Sequence, residues 1–241
     1  MDWSKAKNIF IIAFLLLNLL LAYQLLLKNN ENIHSLQWTS NNMDELEELL
    51  KQQDIILNIE IPKEAPEMHF LQAKLKYYKN EEDQKIEVES VSERYMIESI
   101  LEENIYKFEQ YQFSPKESDE KKHYIYYQYI DKYPIFAGKL EVNIKEERTI
   151  QFSQNYYQGI NQGLDRKVIS SYSALRTVLD QQIIPKGSEI KQIQLGYHGQ
   201  NSQTATQLLT PAWKIIYQTN TSKEEVYVNA MTGGLQNILN Y

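Results

Sequence analysis

The sequence predicts an α+β protein: a single N-terminal transmembrane helix, then an extracellular body of antiparallel sheets with packed helices, built as two related α+β units. Three observations predict it. The nineteen residues Ile9–Leu27 carry no charge and only two strongly polar side chains, Asn18 and Gln24. Beyond them, alternating apolar and polar runs outnumber helical patterns. One helix followed by three or more strands is the order read at 90–157 and again at 170–239. No residue-level repeat accompanies that order, so one continuous α+β domain stands as the alternative.

As an α-helix, Ile9–Leu27 spans roughly 28 Å, about the thickness of a bilayer's hydrocarbon core. The run is too long for a signal peptide, and Leu21-Ala22-Tyr23-Gln24-Leu25 offers no small-x-small cleavage site. Lys5 and Lys7 precede it, which predicts a cytoplasmic tail over 1–8, a membrane helix over 9–27 and an extracellular body. Trp3 and Tyr23 fall near the two interfaces. Asn18 lies at the middle of the span, where an amide has no water to bond. Ile11, Leu15, Asn18, Ala22 and Leu25 share one helical face. This face is the candidate partner-helix interface, and Ala22 leaves room for close approach.

Residues 28–42 are polar and read as a juxtamembrane linker. A first extracellular unit is expected over 43–160. Asn42-x-x-Glu45 resembles a helix start, with Leu46, Leu49 and Leu50 as its apolar stripe and an end near Gln53. Ile55, Leu57, Ile59 and Ile61 alternate as in a strand, until Pro62 and Pro66 break the run. A strand is expected over Met68–Tyr78, then a turn at 80–83. Ser90-x-x-Glu93 is a capping box for a helix whose apolar face is Met96, Ile97, Ile100 and Leu101. Strands are expected at 122–130, 135–145 and 149–157. In the second, Leu140, Val142 and Ile144 alternate with polar residues, the pattern of a half-buried antiparallel strand.

Gly159 to Gly163 marks a boundary before a second unit over 164–241. Ser170 or Ser171 caps a helix with Tyr172, Leu175, Val178 and Leu179 on its apolar side, and Pro185-Lys186-Gly187 ends it. Strands follow at 189–198, 206–218, 225–229 and 235–239. In the hairpin of the last strands, Trp213, Ile215 and Tyr217 face one side, and Val226 and Val228 line the neighbouring strand. Thr232-Gly233-Gly234 allows the positive φ of a turn.

Composition excludes several functions. The chain has no cysteine, which removes disulfides, thiol catalysis and thiolate metal sites. Residues 40–120 hold 9 basic and 21 acidic side chains, and no basic patch exists that would neutralise a row of phosphates, so no nucleic-acid partner is expected. His34, His69, His123 and His198 are scattered, with none at metal-binding helical spacing. There is no nucleophile elbow and no glycine-rich phosphate loop. No cofactor, no metal and no enzymatic activity is expected. A carboxylate pair in a cleft would be needed for a wall hydrolase, and abundance of carboxylates does not place one.

Met1-Asp2-Trp3-Ser4-Lys5-Ala6-Lys7, running straight into the apolar segment, resembles the regulatory proteins of the YycI (WalI) family. Two further stretches agree: Tyr133-Pro134-Ile135-Phe136-Ala137-Gly138-Lys139-Leu140, and Leu209-Thr210-Pro211-Ala212-Trp213-Lys214-Ile215 with Tyr227-Val228-Asn229-Ala230-Met231-Thr232-Gly233. The last pattern is also similar to PepSY-like domains. The resemblance implies a non-catalytic membrane accessory that acts, through transmembrane helix contacts, with the related YycH and the sensor histidine kinase WalK (YycG), which controls cell-wall metabolism. The alternative is an extracellular PepSY-type module that restrains a wall hydrolase or binds a wall polymer.

Overall fold

The computed structural model describes residues 3–34, 40–79, 85–88, 94–119, 122–146, 148–199 and 206–236. The expected turn at 80–83, the capping box at 90–93 and the end of the last strand fall outside them. Four α-helices, one large mixed sheet and a two-stranded sheet make up most of the described structure.

Helix α1 is Trp3–His34. It runs past the apolar segment, so Lys28–His34, expected to be linker, are helical. No Gly or Pro stands between them to end the helix. Among the described residues no helix is long and apolar enough to cross a membrane. The side chains of α1 are described for Lys7, Asn8 and Phe10–Gln24, a shorter stretch than the apolar run.

Helix α2 (Ser40–Gln52) starts two residues before its expected cap and buries Leu46 and Leu50. The alternating run after it does not form the expected strand. Among the described residues only β1 (Ile56–Leu57) pairs, in parallel with the start of β10 (Glu189–Gly199). The run expected over Met68–Tyr78 divides into β2 (Glu67–Met68) and β3 (Leu71–Lys79). Then come β4 (Lys85–Glu87), α3 (Arg94–Asn104), a 3-10 turn at Phe108–Gln110 and β5 (Tyr111–Phe113). Strands β6 (His123–Ile130), β7 (Tyr133–Lys145) and β8 (Thr149–Gln162) form an antiparallel meander. The short β9 (Arg166–Lys167) pairs with β2. Helix α4 (Ser171–Asp180) is capped by Ser170, whose side chain accepts from the Ser173 amide at 3.2 Å. The hairpin β11 (Thr206–Gln218) and β12 (Lys223–Asn229) pairs on with β13 (Leu235–Gln236), and Gly233, at φ 75°, makes the turn.

Eleven strands join one sheet. Strand β3 bridges β11 and β8, and β10 meets β7 where Tyr197 pairs with Ile135. The pairings β10–β11–β3–β8–β7–β10 therefore close a five-strand ring. At the β10–β7 crossing a Cβ on Gly196 would lie 2.5 Å from the Pro134 carbonyl oxygen, so only glycine fits.

Two main cores flank the sheet. One gathers α3 and strands β5 to β8 around Ile97, Leu101, Leu140 and Val142. The other gathers α4 and the β10–β11–β12 face around Leu175, Leu179, Trp213 and Ile215, and it also takes in α2, β3 and Ile61 from the N-terminal side. Residues 46–73 thus pack with the core of the C-terminal strands. Leu140, Val142, Ile144, Leu175, Leu179, Trp213 and Ile215 are all buried, as the periodicity expects. A small third cluster, Ile125, Tyr127, Phe136 and Tyr227, fills the space between the two sheet regions.

Candidate functional site

The helical pitch of α1 brings Ile11, Leu15, Asn18 and Ala22 onto one face, and the side chain of Leu25 falls outside the described residues. All four are exposed: Ile11 is 48% and Leu15 56% accessible. The opposite face is equally bare, with Leu20 at 55%. Exposure therefore does not distinguish the two faces. What distinguishes this one is the Asn18 amide among aliphatic side chains.

The densest polar chemistry lies elsewhere, at a residue the sequence pattern does not mark. Strand alternation puts Lys214 on the side of β11 opposite Trp213 and Ile215. That side is not solvent. Gln194, Lys214 and Tyr227 are cross-strand partners on β10, β11 and β12. Over them lie β6, the 114–119 loop and a bulge in β7. The bulge is read from register: Tyr127 pairs with Lys139, while the next residue, Gln128, pairs with Ile135. The extra residues 136–138 carry Phe136 into the gap.

Lys214 is fully buried. Its Nζ donates to Glu117 Oε1 at 2.5 Å, Glu225 Oε2 at 2.8 Å and the Tyr127 hydroxyl at 2.8 Å. The Tyr127 hydroxyl in turn donates to Glu117 at 2.8 Å, and Ser114 Oγ donates to the other Glu117 oxygen at 2.9 Å. The rings of Tyr127, Phe136 and Tyr227 stand 4.8, 5.4 and 5.8 Å from the ammonium. An ammonium boxed by aromatic faces gains from their quadrupoles, and more so when desolvated. Burial raises the Glu225 carboxyl, but the charge and hydrogen bond of Lys214 outweigh it and hold the group below its usual range. Burial, then the neighbouring carboxylates, push the Tyr127 and Tyr227 phenols well up.

His198 stacks on Tyr227 with ring centroids 4.0 Å apart and planes 17° from parallel. Both its ring nitrogens are buried, and among the described residues neither has a hydrogen-bond partner. Burial lowers its pKa to about 4; Glu225 pulls the other way, and Lys214 adds to the lowering. The imidazole is neutral at pH 7 and acts as a packing ring.

Chemically this cluster is a clamp. Its cation is matched by two carboxylates and a phenol. It ties the 114–119 loop and β6 to the β11–β12 hairpin. A second polar place is a cavity of about 530 Å³ beside His69, whose Nδ1 lies 2.8 Å from Asp165 Oδ1. Among the described residues no group of three or more His, Asp or Glu could hold a metal ion. His123, on β6, pairs with Glu141 at 2.7 Å.

The family model described as YycI protein matches residues 76–231, and the chain belongs to this family of regulatory proteins. No curated protein matches the sequence. Among solved structures, an uncharacterized protein from Eubacterium rectale aligns over 52% of this chain and 46% of its own, with 16% identity and a TM-score of 0.36. The C-terminal domain of Bacillus megaterium YpeB aligns over 64% of this chain and 67% of its own, with 11% identity and a TM-score of 0.39. The chain thus spans less than half the length of the first of these structures.

Proposed function

We propose that the protein is a non-catalytic, single-pass regulator at the cell membrane, with its N-terminus cytoplasmic and its body extracellular. In this proposal it acts on the wall-controlling sensor histidine kinase WalK (YycG), together with the related accessory YycH. The observation that carries the proposal is the family match across 76–231. Two features support it. The run Ile9–Leu27 is uncharged and lies within one helix, with Lys5 and Lys7 before it. Asn18 offers a partner helix a hydrogen bond that lipid does not satisfy.

The face Ile11, Leu15, Asn18, Ala22 and Leu25 is the proposed contact with partner helices. The test replaces residues 9–27 with an unrelated membrane helix of equal length and reads a WalK-dependent promoter. Loss of regulation at unchanged membrane level is expected. Full regulation by the swapped chain would refute the helix contact and favour an extracellular module that works on a wall hydrolase or polymer.

A further inference from the structure

The cavity of about 530 Å³ beside His69 is walled by parts of the chain that are remote in sequence. Strand β2 and the residue after it supply Glu67 and His69. The two-residue turn between β6 and β7 supplies Asp131 and Lys132, and Asp165 comes from the approach to β9. The aromatic wall is centred on Tyr197 of β10. The Tyr133 ring meets it edge to face, with centroids 6.4 Å apart, and the His69 ring lies 6.3 Å from it. The volume falls in the range of small-ligand sites, ~300–1,000 Å³.

The lining chooses the sign of a ligand. Among the described residues it holds three carboxylates and one ammonium. Two of the carboxylates act on the same phenol from different walls: burial, then Tyr133, Asp131 and Asp165, push Tyr197 up to about 12. A cation entering there is attracted by both. The Tyr133 ring already faces one, since Lys132 Nζ stands 5.4 Å from its centroid, within the reach of a cation–π contact. The lining also chooses donors. His69 Nδ1 lies 2.8 Å from Asp165 Oδ1, and Nε2 is buried with no hydrogen-bond partner among the described residues. A neutral imidazole that donates from Nδ1 keeps Nε2 as an acceptor. Carboxylates, phenol oxygens and this nitrogen therefore call for a ligand with a positive charge and several N–H groups. A metal ion does not fit, because among the described residues no group of three or more His, Asp or Glu could hold one. A quaternary ammonium has the charge but no N–H to give.

We propose that this cavity binds the primary alkylammonium group of a peptide, from a lysine side chain or a free amino terminus, between Asp131, Asp165 and the rings of Tyr133 and Tyr197. The test uses the full-length protein in uncharged detergent micelles and ligand-observed saturation-transfer NMR. The probes are Nα-acetyl-lysine methylamide, its Nε-acetylated form, and glycine methylamide, which carries only an amino terminus. Saturable transfer is expected from the first or the third, and the one that responds names the source; the Nε-acetylated probe should give none. Asn accepts the positive φ of Asp131, 52°, so Asp131→Asn keeps the turn and removes one charge. It should weaken binding about tenfold, the effect of losing a charge-assisted hydrogen bond. Tyr133→Leu, which removes a ring face, should weaken it about fivefold. Glu103→Gln, at an exposed carboxylate outside the cavity, should change nothing. Absence of saturable transfer from both amine probes would overturn the inference, and so would equal transfer from the Nε-acetylated one. Undiminished binding in either cavity variant would overturn it too. An equal loss in Glu103→Gln would do the same, because net charge and not the cavity would then be the attraction.

Discussion

Replacing Lys214 by Met removes the charge at the centre of the clamp and keeps most of the side-chain volume. The partner left most exposed to the change is Glu117. Its side chain is only 11% accessible, and it loses its nearest cation, 2.5 Å away. Breaking a buried pair by removing one partner costs ~3–5 kcal/mol. Glu225 is 47% accessible, so water screens its loss and it adds little. The Tyr127 hydroxyl keeps Glu117 as acceptor. The expected cost is therefore at the low end, about 3 kcal/mol. For a body of this size that lowers the melting temperature by roughly 6–12 °C. The assay is thermal and urea unfolding of the full chain in detergent micelles, followed by tryptophan fluorescence, for which the buried Trp213 is a reporter. Adding Glu117→Gln to Lys214→Met removes the orphaned charge and should recover part of the loss. A shift of less than about 2 °C, below what 1 kcal/mol produces, would refute the clamp. So would a double variant no more stable than Lys214→Met, because the cost would then not lie in an unpaired carboxylate.

His198 makes the fold acid-sensitive. Its folded pKa, about 4, lies below the ordinary value of 6.5, so the unfolded chain binds the proton more readily. Stability is full above pH 6.5 and falls by about 3 kcal/mol as the pH drops to 4. His198→Phe keeps a ring against Tyr227 and should flatten that window, and an unchanged pH profile would rule His198 out. Trp213 is 1% accessible and its Nε1 donates to the Ile169 carbonyl at 2.9 Å. Trp213→Ala should cost ~3–5 kcal/mol, measured by urea unfolding followed by circular dichroism, and an unshifted midpoint would contradict the packing. On α1, Asn18→Leu should weaken co-purification with WalK and YycH by up to about tenfold. Ala22→Phe should weaken it further and Leu20→Phe hardly at all; equal recovery of the three variants would leave α1 a plain tether.

The elements were legible where periodicity was long and one face was wet. The α4 helix with its Ser170 cap, the β6–β8 meander and the β11–β12 hairpin all follow from patterns of 2 or 3.6 with turn residues between them. The 55–61 run shows where this fails. Its alternation correctly signals one buried side, but a period of 2 does not say whether a neighbouring strand is there to pair. The strands β4, β5 and β9 are too short to show a period. Lys214 was illegible for a different reason. In an alternating strand a lysine reads as the wet face, and it is β6, the β7 bulge and the 114–119 loop, all remote in sequence, that cover it. Nothing local to Trp213-Lys214-Ile215 announces that cover.

The two contact modes available to this chain differ in strength. A hydrogen bond between membrane helices contributes ~1–2 kcal/mol at most, because the dissociated helix also finds partners. If the proposed helix contact forms, Asn18 alone supplies about tenfold preference for one partner over another. That is too little to select a kinase among many membrane proteins. Five linker residues separate α1 from α2, so the body is carried wherever the anchor goes. A tethered second contact acts at high effective concentration, and weak selectivities then multiply. For the body to add its share it must present one fixed surface. The Lys214 clamp meets that need, since it locks the 114–119 loop onto the C-terminal hairpin through one buried ammonium shared by two carboxylates. In the proposed function, the anchor face sets where the protein docks, and the rigidity of the body sets how well it discriminates once there.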